Sequence, residues 1–430
     1  MRPLVFAKVI LAIFFNVFTD FLPRTSPIMS FLFKRLSRLF FVSITTLPLI
    51  ANANVIDDFN QCINKMKVQA SSGGFSDFIV NDVIPTLSPL KKVITLDQRQ
   101  PEFSQSFADY LKLRLTNYHI QTGRKKLAEH KELFDKLSKK YGIPAQYLVS
   151  FWGLETNFGR NKGKMSVLNS LATLACDERR SEYFTAELFD LFHLIDNKTV
   201  TTKQLAGSWA GAMGHMQFMP SALRKYALDG DDDGKVDVWQ SEADALTSAA
   251  NYLNSIGWIE KERWGRQVQL PKNFAFQQVE FDQFYPLATF KALGVTRANG
   301  TALSDYKIDA ELVLPAGAGG PAFLVYPNFN VIMKWNLSEN YALSVGLLAN
   351  RIQGASGLKV SAQNKEVLYK PAELQALQEK LNTLGFDVGK PDGIWGPKSR
   401  KAIRLYQLQH DLIADGFPNS AVLIKAGIQG

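Results

Sequence analysis

Cysteine and histidine are scarce: the 430 residues hold two cysteines and five histidines. Cys62 and Cys176 are isolated from each other and from any histidine cluster, which excludes a zinc site of the finger or ribbon kind. Charge of one sign is equally thin. The formal charge is +9, but residues 1–53 carry six of the 49 Lys and Arg and one of the 40 acids, leaving about +4 for the remainder. So small a charge is not a nucleic-acid footprint. Long apolar runs are also missing. Val9–Phe18 is too short to span a bilayer, so a polytopic membrane protein is excluded. What is present is ordinary for a globular protein: 46% hydrophobic and 21% charged residues, enough to exclude low-complexity disorder. The length predicts two or three domains.

Met29 opens a stretch with Lys34, Arg35 and Arg38, followed by apolar Leu39–Ile50 and then Ala51-Asn52-Ala53. That order is the n-region, h-region and cleavage site of a secretory signal peptide. Residues 1–53 are therefore an N-terminal extension and signal peptide, with translation expected from Met29 and cleavage after Ala53. No cysteine follows the h-region, so neither a lipoprotein anchor nor a stable membrane anchor is expected. An exported compartment permits a disulfide between Cys62 and Cys176; two buried free thiols are the alternative.

From residue 54 to about 140 the chain reads mostly as helix. Gly142-Ile143-Pro144 breaks the pattern, and Leu148, Phe151, Trp152 and Glu155 then follow at helical spacing, with Gly159 closing the helix. One amphipathic stretch spans 166–195 and another helix about 244–256. Residues 265–330 suggest short strands, and 341–352 is helical again. Glu155 sits among two aromatics and a leucine near a helix C-terminus. Apolar surroundings and the negative end of the helix dipole both disfavour the charged form, as a general acid requires. Gly207–Pro220 combines three glycines, two alanines and three methionines with few polar groups: Ser208, His215 and Gln217. Small residues let a bulky ligand approach the backbone, and Gln217 can both donate to and accept from a sugar.

Four segments carry a family resemblance: Gly153–Gly159, Gly207–Ser221, Arg179–Phe184, and Ala250-Asn251-Tyr252-Leu253 before Gly257-Trp258. Over roughly 55–355 the chain resembles the B-type lytic murein transglycosylases. The resemblance implies a mainly α (α+β) fold: a lysozyme-like catalytic core with helical and small β-containing additions. It implies one catalytic Glu, matching Glu155, that cuts the β-1,4 bond between N-acetylmuramic acid and N-acetylglucosamine in peptidoglycan. It further implies substrate contacts from Ser208, Gln217, Tyr252, Tyr183, Arg180, Asn336, Tyr341 and Tyr110, with Arg180 toward the anionic peptide stem. Trp335 stands where the family often has Tyr, keeping a stacking face and losing a hydroxyl.

Asp229, Asp231, Asp233 and Asp237 occupy loop positions 1, 3, 5 and 9, with Gly234 at 6, in the spacing of an EF-hand calcium loop. Position 12 holds Gln240 instead of a bidentate Glu, so Glu242 or Asp244 would have to complete a lengthened site. Calcium would be structural; no cofactor is required for the chemistry.

Residues 371–430 resemble a small three-helix peptidoglycan-binding domain, on Leu374, Leu377-Gln378, Leu381, Pro391–Pro397, Ala402-Ile403, Tyr406-Gln407 and Asp415-Gly416. The expected organisation is a catalytic domain at 54–355, a linker at 356–370 and the binding domain at 371–430. The expected partners are peptidoglycan glycan strands, with no nucleic acid, and the chain is expected to be a monomer in the periplasm of a Gram-negative bacterium. The alternatives are a water-using muramidase and a non-catalytic peptidoglycan-anchoring protein.

Overall fold

The computed structural model describes residues 47–97, 105–359 and 369–428, with side chains from Asp58 onward. The signal-segment expectation falls mainly on residues 1–46, and most of the expected linker on 360–368; both lie outside the described residues. The chain divides into Met1–Cys62 and Ile63–Gly430. The first part contributes the opening of helix α1 (Leu47–Ser72), and the remaining described elements belong to the second.

The helical body comprises α2 (Lys91–Asp97), α3 (Phe107–Arg114), α4 (Asn117–Glu129), α5 (Lys131–Tyr141), α6 (Ala145–Thr156), α7 (Val167–Ala175), α8 (Ser181–Asp196), α9 (Pro220–Tyr226) and α10 (Glu242–Ser255). Ser106 and Thr116 cap α3 and α4 by accepting the amides of Asp109 and His119, which satisfies otherwise orphaned N–H groups. Pro144 is the N-cap of α6, and the helix stops at Asn157 in the left-handed conformation (φ 52°), two residues before Gly159. The single amphipathic stretch expected at 166–195 is two helices. Arg179 and Arg180, in the turn between them, both pair with the buried carboxylate of Asp97 at the end of α2, and that attachment redirects the chain.

A two-stranded ribbon pairs β1 (Met165–Ser166) with β2 (Ala206–Gly207), where the glycine-rich loop begins. The strand-rich region forms a five-stranded antiparallel sheet from β3 (Gly265–Gln269), β4 (Tyr285–Pro286), β5 (Thr296–Arg297), β6 (Asp309–Val313) and β7 (Ala322–Val325), ordered β4-β6-β7-β3-β5. Its register places Leu312 opposite Leu324 and Gly265 opposite Val325. Val268, Leu312, Leu324 and Phe290, the last from α11 (Leu287–Ala292), bury a separate core there. The chain then returns to the helical body through α12 (Pro327–Trp335) and α13 (Glu339–Ile352), which packs against α6.

The C-terminal module is three helices: α14 (Pro371–Thr383), α15 (Pro397–Gln409) and α16 (Ser420–Lys425). Leu374, Leu377, Leu381, Ile403, Tyr406 and Val422 form its core. Two buried glutamines shape its loops. Gln378 accepts the amides of Asp392 and Gly393 and donates to Asp392, Ile394 and Ser399. Gln407 accepts from Gly416 N–H and donates to Asp415 and Phe417. Each Gln-to-Asp-Gly pairing replaces backbone partners that a tight turn cannot supply.

The module packs on the catalytic part. Arg404 donates to the carbonyls of Phe276 (3.1 Å) and Val279 (2.7 Å). Arg400 pairs with Glu339 at 2.9 Å, and Asp415 accepts the amide of Ala318 at 2.9 Å.

Candidate active site

Glu155 is the penultimate residue of α6, half-buried at the helix end. The helix is buried on nearly all sides, which fixes the direction in which the carboxyl points. Two residues from the far end of the domain meet it. Trp335, the last residue of α12, donates its indole N–H to Glu155 Oε1 at 2.9 Å. Tyr341, in the first turns of α13, donates its hydroxyl to the same oxygen. Tyr341 is 5% exposed; burial and then the Glu155 charge push its hydroxyl well above the usual tyrosine range, so it stays a donor.

Trp335 continues an aromatic wall. Its ring lies 4.7 Å from Phe151, 5.1 Å from Tyr252 and 5.7 Å from Phe218. Tyr252 stacks on Tyr226 at 4.7 Å. Tyr183 is 50% exposed, and burial of its ring edge, Glu187 and Tyr252 raise its hydroxyl to about 12 against the opposing charge of Arg180. Glu187 itself is buried and accepts both the amide (2.9 Å) and the hydroxyl (2.7 Å) of Ser221, tying α8 to the start of α9.

The glycine-rich loop is fixed against α6 through His215. Trp152 donates its indole N–H to His215 Nδ1 (3.0 Å), and the Thr156 hydroxyl donates to the His215 carbonyl (2.6 Å). Gly159 lies so close that a Cβ there would sit 2.3 Å from the imidazole. Gly163, with φ +87°, approaches the Gly207 carbonyl to a distance no side chain allows. His215 is pushed down to about 4 by burial and by the Lys162 ammonium, so its ring is neutral.

The predicted substrate residues divide. Glu155, Tyr341 and Tyr252 come together around Trp335, with Tyr183 beside Tyr252. Gln217, at φ 50°, commits its amide hydrogens to the carbonyls of Lys162 (3.2 Å) and Gly214 (3.0 Å). Ser208 accepts the amides of Ala210 and Ala212 and so shapes the loop. Asn336 accepts the Ser338 amide just beyond α12. Tyr110 is 2% exposed and stands behind Tyr341, whose hydroxyl its own phenol helps to raise; it is buried and does not face an open cleft. Arg180 is engaged by Asp97 and lies over the Phe184 ring at 4.8 Å, so its charge already has an internal partner.

Sequence reasoning missed the Trp335–Glu155 bond, having credited Trp335 with a stacking face alone. It also missed the inward turn of His215 and the Glu187–Ser221 bracket. An indole N–H at a position that often holds a tyrosine hydroxyl was the available signal for the first.

In the acidic loop, Asp229, Asp231 and Asp244 bring one carboxylate oxygen each within 4.8 Å of one another. That spacing fits calcium, whose oxygen ligands lie at about 2.3–2.6 Å. Asp244 therefore joins the set, while Glu242 turns to His130 and Lys126. Asp233 and Asp237 are occupied with loop amides: Asp233 accepts from Lys235, and Asp237 from Trp239 and Gln240. Among the described residues neither joins the cluster that the loop spacing predicts.

The chain matches known families along most of its length. Residues 58–350 match the family model of the transglycosylase SLT domain, and residues 370–425 a peptidoglycan binding domain. Among solved structures it is similar to SltB3 of Pseudomonas aeruginosa in complex with NAG-anhNAM-pentapeptide, at 38% identity, 86% of this chain and 99% of that one, with a TM-score of 0.79. It is similar to Escherichia coli Slt35 in complex with calcium, at 29% identity, 69% of this chain and 92% of that one, with a TM-score of 0.59. The membrane-bound lytic murein transglycosylase B of Escherichia coli is 29% identical over 307 residues, 68% of this chain and 81% of that protein. With a match across more than half its residues to one family, and with these relatives beside it, the chain belongs to the transglycosylase SLT domain family.

Proposed function

We propose that this protein is an exported lytic murein transglycosylase that cleaves the bond between N-acetylmuramic acid and N-acetylglucosamine and leaves 1,6-anhydro ends. One observation carries the reading: a half-buried carboxyl at a helix end, held on one oxygen by Trp335 and Tyr341, with an aromatic wall and a glycine-rich loop beside it. Glu155 is the only catalytic group it requires. The protonated carboxyl gives its proton to the glycosidic oxygen as the bond to C1 breaks. The carboxylate then takes the proton of the muramic acid C6 hydroxyl, and that oxygen closes on C1. Proton and bond counts balance without water. Because the nucleophile belongs to the substrate, ring closure is intramolecular, where effective molarities reach about 10⁵ M or more. A hydrolase would use a second carboxylate to activate water or act as nucleophile, and the motifs around Glu155 supply no compelling one.

Trp335 and Tyr341 hold Oε1 in both halves of the cycle. An oxygen already accepting two donors is a poor seat for a proton, so Oε2 is assigned the transfers. Tyr252 and Tyr183 supply faces for sugar rings, and Gln217 accepts a sugar N–H or hydroxyl. The C-terminal module holds further peptidoglycan near the cleft. Asp229, Asp231 and Asp244 would bind a structural calcium. The signal segment supports a periplasmic location, and the scarcity of free thiols agrees with it: among the described residues no cysteine is free.

Purified protein incubated with cell wall is expected to release anhydro ends detectable by mass spectrometry. Glu155→Gln is expected to bind wall and release none. Reducing ends in place of anhydro ends, or turnover by the variant, would reject the mechanism.

A further inference from the structure

A second site lies away from Glu155. A cavity of about 660 Å³ is lined by Lys112 of α3, Arg263 and Arg266 at β3, Arg297 of β5, Arg351 of α13 and Lys359 beyond it, with no Asp or Glu in its lining among the described residues. Among the described residues none of these six forms an ion pair. A cleft lined by one sign of charge focuses its field and draws ligands of the opposite sign into it. The charges converge: the buried hydroxyl of Tyr326, raised by burial, is drawn down in turn by Arg266, Arg263 and Arg297. Among the described residues, Arg266 Nε is buried without a hydrogen-bond partner. The rim is built. Lys359 and Gln267 exchange two hydrogen bonds (3.0 and 2.6 Å), and Arg351 donates to the Ala355 carbonyl at 2.9 Å.

The size is that of a site for a ligand larger than a single inorganic anion, and guanidinium forks suit planar carboxylates. The cavity also shares an element with the catalytic candidate. Asn350, in its lining, follows Tyr341 by nine residues on α13, about 14 Å at 1.5 Å per residue. We propose that this cavity binds the carboxylate-bearing peptide stem of the peptidoglycan strand held in the cleft. The assignment rests on the transglycosylase reading for the identity of the strand. It differs from the expectation for Arg180, whose charge Asp97 already occupies.

The test uses the full chain carrying Glu155→Gln for binding and the otherwise native chain for turnover. In calorimetry, the free stem pentapeptide without sugar is expected to bind, with affinity falling at least ten-fold in Arg263→Ala/Arg297→Ala and steeply with salt. Both arginines are exposed, and an unchanged melting temperature checks that the double variant folds. Equal binding by the variant overturns the proposal, and so does tighter binding of inorganic pyrophosphate than of pentapeptide, which would make this a phosphate site. In turnover, the double variant is expected to lose about ten-fold in kcat/KM on stem-bearing glycan and nothing on amidase-stripped glycan. An equal loss on both also overturns it. If the native chain cleaves neither glycan, the reading of the cleft fails and the pentapeptide titration still decides the cavity.

Discussion

Two donors from residues 180 and 186 positions away in the sequence meet at one oxygen of Glu155. A hydrogen bond to a charged group contributes about 1.5–3 kcal/mol, so removing the indole N–H has a measurable consequence. Trp335→Phe keeps the aromatic wall and is expected to lower kcat about 10- to 100-fold with little change in KM, measured on soluble muropeptides. His215 gives a second prediction at this scale. Its imidazole must stay neutral to accept the Trp152 N–H, and it is pushed down to about 4 from an ordinary 6.5. A group held lower in the folded state than in the unfolded one contributes stability that is present above about 6.5 and lost as pH falls toward 4. The loss at the acid end is at most about 3 kcal/mol. Urea unfolding of the native chain and of His215→Gln is expected to show a stability difference at pH 7 that shrinks by pH 4.5.

Among the elements, the acidic loop shows that spacing along a loop does not by itself name the carboxylates that converge. The loop positions alone nominate Asp233 and Asp237, yet the cluster takes in Asp244 from the first turn of α10, where it accepts the amides of Gly230 (2.7 Å) and Asp237 (2.6 Å). Calcium is expected to raise the melting temperature by several degrees, since a ligand that binds only the folded state stabilises it by mass action. Asp244→Ala is expected to abolish that increment, whatever it does to the starting temperature. The break between α7 and α8 has a similar origin. The turn itself, Asp177–Glu182, is wholly polar, and its two arginines reach a buried aspartate 82 and 83 residues earlier in the chain.

Across the whole molecule, the C-terminal module is docked onto the strand-rich region and α13, in place of hanging on a free tether. Arg404 is 8% exposed and serves two carbonyls that would otherwise face it unpaired. Truncating one partner of a buried bond leaves the other unsatisfied, at about 1–3 kcal/mol. Arg404→Ala is expected to loosen the module: calorimetric unfolding should split from one transition into two, and limited proteolysis should release the C-terminal fragment sooner.

By itself the sequence determined the helical class, the strand-rich insertion, the three-helix module and the glycine-rich loop, and it nominated Glu155, because each is written in contiguous periodicity or in a long local motif. Tertiary structure alone decided that Trp335 and Tyr341 share one carboxyl oxygen, that Tyr110 is buried behind them, that Arg180 is already paired, and that six cations from five segments surround one cavity. Those outcomes depend on how distant segments pack against one another, and no spacing along a chain encodes which side chains will meet once loops have closed.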